Sequence, residues 1–129
     1  MIHFKAKVIK GQGKGREIGF PTINLAISSQ KSVVSNLDFG VYACRVFLPT
    51  AHSPQPFLGA MHYGHRETLD LPESLEIYLI DFDGGDLYGQ EVAVEVLKKI
   101  RDVQKFCSVK DLVEQIGKDV EEIRGMVKV

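Results

Sequence analysis

The chain has 129 residues, 44% of them hydrophobic, with 16 Lys and Arg against 17 Asp and Glu, for a formal net charge of −1. That length suits one domain with a real core, and the near-neutral balance excludes a strong electrostatic pull toward nucleic acid or a membrane surface. No apolar run reaches the roughly 18 residues of a membrane helix, and MIHFKAKVIK lacks the apolar segment and cleavage site of a signal peptide, so a cytoplasmic protein is expected. Cys44 and Cys107 are too few and too isolated for a disulfide framework or a metal site.

FKAKVI (4–9) alternates as a strand does. The next stretch, GQGKGREIGFPTINL (11–25), is the least generic in the chain. Glycines let backbone N–H groups approach a phosphate, yet the two common cradles do not fit. Gly15 is followed by Arg16 rather than by the Lys-Ser or Lys-Thr pair of a Walker loop. Pro21 forbids the helix that a dinucleotide-binding glycine motif must open. A plain glycine-rich hairpin remains open on spacing alone. A strand after the loop would send Thr22 and Asn24 to one face, where a hydroxyl and an amide oxygen suit a hard cation such as Mg²⁺.

GVYACRVFL (40–48) is rich in β-formers, and PTAHSPQP (49–56) reads as a loop closing a hairpin. SLEIYLIDF (74–82) sets Leu75, Ile77 and Leu79 opposite Glu76, Tyr78 and Ile80. EVAVEVLKKI (91–100) alternates Val92, Val94 and Val96 with Glu91, Ala93 and Glu95, and DGGDLYG (83–89) is expected to be the hairpin turn joining these two strands. Strands at this spacing predict an antiparallel sheet or barrel. SVKDLVEQIGKDVEEIRGMV (108–127) instead places Val109, Leu112, Val113, Ile116, Val120 and Ile123 on one helical stripe, capped by Ser108 with Asp111. Gly117 weakens that helix in its middle. The picture is a mainly β barrel, strands over roughly 1–100, with a carboxy-terminal helix packed on it.

Several blocks then fall into one pattern. GxGxGRxxGFPTxN, the GVYA of 40–43, LEIYLIDFDGGDLYG (75–89) and IRDVQKFCSVKDLVEQIGKD (100–119) resemble, in order and over nearly the whole chain, the riboflavin kinase family, alone or as the carboxy-terminal module of bacterial bifunctional FAD synthetase. The resemblance implies a six-stranded antiparallel Greek-key β-barrel with a carboxy-terminal helix, one kinase domain over 1–129. It implies transfer of the γ-phosphoryl of ATP to the terminal ribityl hydroxyl of riboflavin, giving FMN and ADP, with Mg²⁺. By the same resemblance, Gly11, Gly13, Lys14, Gly15, Arg16 and Gly19 belong to a loop over the ATP phosphates. Thr22 and Asn24 are implied as ATP and metal ligands, Glu76 as the catalytic base beside the flavin hydroxyl, and Asp86 and Tyr88 as the edge of the adenine pocket. Arg101 and Phe106 are implied in a flap over the flavin. Phosphoryl transfer needs positioning and neutralised oxygens, and a carboxylate base suits a primary alcohol.

The bland readings stand beside these. Glu76 on a strand is ordinarily the solvated side of the alternation, Lys14 and Arg16 ordinarily face solvent, and Arg101 ordinarily pairs with Asp102 or another nearby acid. Phe106 reads as a staple at the helix start, and Tyr88 as packing at a turn. The family's middle block, N-x-G-x-R-P-T-F, is altered to His62-Tyr63-Gly64-His65-Arg66-Glu67-Thr68-Leu69, which puts the flavin end in question. HYGH (62–65) is read as a chance likeness to a nucleotidyltransferase motif, since it sits between β-type runs and not before a helix; His62 and His65 lack further ligands for zinc. The first rival is a non-catalytic flavin- or nucleotide-binding module of the same fold. A single-stranded nucleic-acid barrel wants a basic, aromatic groove that the chain does not show. The expected partners are therefore riboflavin or FMN and ATP or ADP, with no nucleic acid, no membrane and a monomeric state; the chain reads equally as a free-standing kinase or as the excised half of a bifunctional enzyme.

Overall fold

A computed structural model describes residues 2–10, 19–26, 37–49, 56–66, 71–82 and 87–126, with the backbone alone at 65–66 and 71–74. Six strands form, β1 (Ile2–Ile9), β2 (Ile23–Leu25), β3 (Gly40–Phe47), β4 (Phe57–Arg66), β5 (Leu71–Leu79) and β6 (Glu91–Arg101), followed by one helix, α1 (Val109–Met126). They close into an antiparallel barrel in the order β1-β2-β5-β4-β3-β6, with β6 returning to pair with β1. Closure gives every strand two neighbours, although the short β2 pairs with β1 only at Val8 and Ile9. Among the described residues no helix is long and apolar enough to cross a membrane.

The period-two pattern decides which side of each strand fills the barrel. Phe4, Ala6 and Val8 point inward from β1 while Lys5 and Lys7 stay outside. Met61 and Ile77, both fully buried, meet Val92, Val94 and Cys44 in that interior. The outer wall of β3, β4, β5 and β6 carries a second apolar layer. There Ala43 and Ala60 are small enough to let α1 lie close, and Leu112, Ile116, Val120 and Ile123 cover them. Two bulges in β6 help: Leu97 and Ile100 are the residues that β3 does not match, and both turn toward α1. Ser108 Oγ accepts the Asp111 N–H at 3.1 Å, the expected cap. Val109, expected on the buried stripe, is 44% exposed, because it lies in the first turn before α1 reaches the barrel.

The expected hairpin between 74–82 and 91–100 does not form. β5 pairs with β2 and β4, whereas β6 pairs with β1 and β3. The reason lies in the chain after β5. The strand stops at Leu79 rather than Phe82, since Asp81 takes a φ of 64°, a conformation that Asp tolerates better than most residues. Farther on, Gly89 N–H donates to the Val8 carbonyl at 2.9 Å and Val8 N–H to the Gln90 carbonyl at 2.8 Å, while buried Leu87 joins the barrel core. Those contacts deliver β6 to β1 on the other side of the barrel. Of the turn residues, 83–86 lie outside the described ones.

Gly64 in β4 has a φ of 138°, and a Cβ there would sit 3.0 Å from Val103 Cγ2 and 3.1 Å from Phe39 Cγ. Gly64→Ala is therefore expected to cost about 1–3 kcal/mol, read as a lower urea midpoint; an unchanged midpoint would show that the segment relaxes freely. Cys44 is wholly buried, its Sγ 3.5 Å from the Gly59 carbonyl, and burial pushes its thiol pKa far up, whereas Cys107 is exposed. A maleimide should accordingly label Cys107 in the native protein and reach Cys44 only after denaturation. Rapid native labelling of Cys44 would contradict this packing.

Candidate active site

The outer face opposite the core side chains holds a continuous row. Register pairs run Ile9 to Asn24, Asn24 to Glu76, Glu76 to His62, His62 to Val41, and Val41 to Arg101. Adjacent strands lie about 5 Å apart, so the row from Asn24 to Arg101 spans roughly 20 Å across the wall of the barrel. Asn24, Glu76 and Arg101, three residues singled out from sequence on separate segments, thus stand on one line.

The segment before β2 is pinned beside that line. Phe20 packs edge-on against Tyr78 of β5, ring centroids 5.2 Å apart. Pro21 keeps the chain extended, and Thr22 then falls two residues before Asn24, on the same face. Thr22 Oγ1 donates to Glu76 Oε1 at 3.0 Å. Glu76 is 4% exposed, so the solvated-strand reading fails for it. Because the Thr22 hydroxyl spends its proton on the carboxylate, its oxygen lone pairs remain able to face a cation. Gly19, with a φ of 91° and no atom within 4 Å of a Cβ placed there, gives the turn that leads out of the glycine-rich loop.

Gly11, Gly13, Lys14, Gly15, Arg16 and Asp86 lie outside the described residues. Tyr88 is 51% exposed in the turn that docks on Val8, one strand away from Asn24. At the other end of the row, the carboxylate that Arg101 meets is Asp119 and not its sequence neighbour Asp102. Arg101 Nε and Nη2 donate to the Asp119 carboxylate of α1 at 2.9–3.1 Å, and only its Nη1 reaches the Asp102 carbonyl. Lys99 takes the Asp102 carboxylate instead, at 2.6 Å; that hydrogen bond and charge hold the Asp102 carboxyl below the usual carboxylate range. The Arg101 guanidinium also lies 5.7 Å from the centre of the Phe106 ring. Phe106 itself packs into the layer under α1, as a helix-start anchor would. Gln115 Nε2 completes the cluster by donating to Asp119 at 2.9 Å.

Two residues of this arrangement escaped the sequence reading. Asp119 is 3% exposed, and the spacing 112–116–119–123 places it on the apolar stripe, a signal that an acid there needs a basic partner. His62, 6% exposed, was set aside with HYGH, although it fills the first position of the N-x-G block.

Among the described residues, no three His, Cys, Asp or Glu side chains converge to hold a metal. The oxygens of Thr22 and Asn24 are two neutral, hard donors, a set that fits an ion bringing its remaining ligands as phosphate oxygens and water. A closed six-stranded antiparallel barrel thus carries a hydroxyl, an amide and a buried carboxylate along one outer wall. The flavokinase family profile, Riboflavin kinase, matches residues 1–127, and the chain belongs to the riboflavin kinase family. It is 43% identical over 120 residues to the bifunctional riboflavin kinase/FMN adenylyltransferase of Haemophilus influenzae, covering 92% of this chain and 36% of that protein. It is 37% identical to an RNA-binding riboflavin kinase of Bacillus subtilis, over 88% of this chain and 46% of the relative. The crystal structure of riboflavin kinase from Trypanosoma brucei superposes with a TM-score of 0.68 at 28% identity, over 97% of this chain and 78% of that one. The chain thus spans less than half the length of each of these two bacterial relatives.

Proposed function

We propose that the chain is an ATP-dependent riboflavin kinase, working as one domain over 1–129 and forming FMN and ADP. The observation that carries this reading is the Thr22–Glu76 hydrogen bond, which joins the glycine-loop motif to the carboxylate on one row. In the proposed step the terminal ribityl hydroxyl gives its proton to the Glu76 carboxylate. A bond forms between that oxygen and the γ-phosphorus, the bridging bond to the β-phosphate breaks, and its electron pair leaves on ADP. Thr22 orients Glu76 and, with Asn24, would hold a Mg²⁺, which when bound neutralises charge on the phosphate oxygens. The loop with Gly11, Gly13, Lys14, Gly15, Arg16 and Gly19 would cover the phosphates, with Asp86 and Tyr88 toward the adenine.

For Arg101 and Phe106 we propose a supporting role at the flavin end. The Asp119 carboxylate and the Asp102 carbonyl together engage all three guanidinium nitrogens, which favours holding the flap in place over direct flavin contact. Riboflavin and ATP are the proposed partners of a monomer, without nucleic acid, a reading supported by the net charge of −1. The adenylyltransferase activity in the bacterial relative's name is not carried over. Incubation with riboflavin, ATP and Mg²⁺, followed by separation of the flavins, should yield FMN and ADP in equal amounts. Riboflavin binding without FMN would leave the non-catalytic module.

A further inference from the structure

Among the described residues three polar or charged side chains are buried: Asp119, Glu76 and His62, at 3%, 4% and 6% exposure. Asp119 is engaged by Arg101 and Gln115, and Glu76 by Thr22. His62 is the one that the proposed step does not use. It stands directly opposite Glu76 in the β4–β5 register, where facing Cβ atoms lie about 4.5–5.5 Å apart. Among the described side chains its other neighbours on that face are Val41 and Ala43 of β3, Ala60 of β4 and Tyr78 of β5, of which only Tyr78 is polar, and its ring packs edge-on against Phe20. A buried imidazole is costly unless its nitrogens are used. The register puts the Glu76 carboxylate within its reach, on the side away from Thr22.

We propose that His62 is a positioning residue for phosphoryl transfer. Thr22 holds Glu76 from the β2 side and His62 holds it from the β4 side, so that the carboxylate faces outward along one rotamer, ready for the incoming hydroxyl. The inference rests on the kinase reading above. A carboxylate gripped from one side only would sample rotamers turned from the hydroxyl, and small misplacements of a reacting group cost up to about a hundredfold in rate.

The test compares wild type with His62→Leu, His62→Val, His62→Gln and His62→Asn, each checked by thermal melting; the second apolar variant covers a failure of the first to fold. The apolar variants are expected to lose about ten- to a hundredfold in kcat for FMN formation, with KM for riboflavin and ATP within about threefold. His62→Gln and His62→Asn should recover most of the rate, because an amide can still donate to the carboxylate. In a Glu76→Gln background His62→Leu should cost nothing further, as expected of two residues acting on one function. An active wild type whose folded apolar variants keep full kcat, or lose it equally with and without Glu76, overturns the inference alone. A wild type that makes no FMN overturns the kinase reading and the inference with it.

Discussion

Glu76→Gln is expected to abolish most FMN formation while leaving the barrel intact. Glutamine has nearly the same shape, and its amide oxygen can still accept the Thr22 hydroxyl that now bonds Glu76 Oε1 at 3.0 Å. What it cannot do is take a proton from the ribityl hydroxyl. Positioned acid–base groups contribute on the order of 10²- to 10⁴-fold, so kcat should fall by that much. KM for riboflavin should change little, since the missing interaction strengthens only as the proton moves. The measurement is steady-state FMN formation on a variant whose melting temperature matches wild type. A kcat within about threefold of wild type would remove Glu76 from the chemistry.

The largest expected effect on stability belongs to Asp119→Ala. Arg101 and Asp119 are 16% and 3% exposed in their side chains, and two guanidinium nitrogens face the carboxylate at 2.9–3.1 Å. Removing the acid leaves a largely buried cation without its counter-charge, which typically costs about 3–5 kcal/mol. Urea unfolding should show that loss as a lower midpoint. Replacing both partners together, Arg101→Met with Asp119→Leu, should restore much of it, because matched apolar residues carry no desolvation penalty. A double variant as unstable as Asp119→Ala would mean that the pair holds the end of β6 to α1 in a way apolar packing cannot. An Asp119→Ala protein of wild-type stability would mean that Arg101 finds water or another acid at no cost.

Much of this molecule can be read from its residues because its periods are clean. The alternation of 4–9, 40–48 and 91–100 and the stripe of Leu112, Ile116, Val120 and Ile123 report local burial directly, and burial is what strands and amphipathic helices record. Strand order is another matter. Nothing in DGGDLYG says that Leu87 enters the barrel core and Gly89 docks on Val8, so a turn that looks like a hairpin carries the chain across to β1 instead. Pairing between strands distant in sequence leaves little trace in either one.

The candidate site divides along the same line. Thr22 and Asn24 stood out by type and by family likeness, Glu76 by family likeness alone. Their convergence on one row depends on β2 lying between β1 and β5, which only the fold supplies. His62 and Asp119 were harder to see for opposite reasons. His62 sat inside a motif with a more vivid false meaning, and Asp119 looked like one more charge on a helix that has many. In both cases the informative quantity is burial of a polar group, which depends on neighbours from other strands or from β6.

The most direct test of the account is a single-turnover experiment with excess enzyme, riboflavin, Mg²⁺ and ATP labelled in its γ-phosphate. Label should pass to FMN in the wild type, and this transfer should nearly disappear in Glu76→Gln, with riboflavin still bound. Label that stays in ATP or appears only as inorganic phosphate in the wild type would contradict the account: the row of Asn24, Glu76 and His62 would then not deliver a phosphoryl group to the flavin.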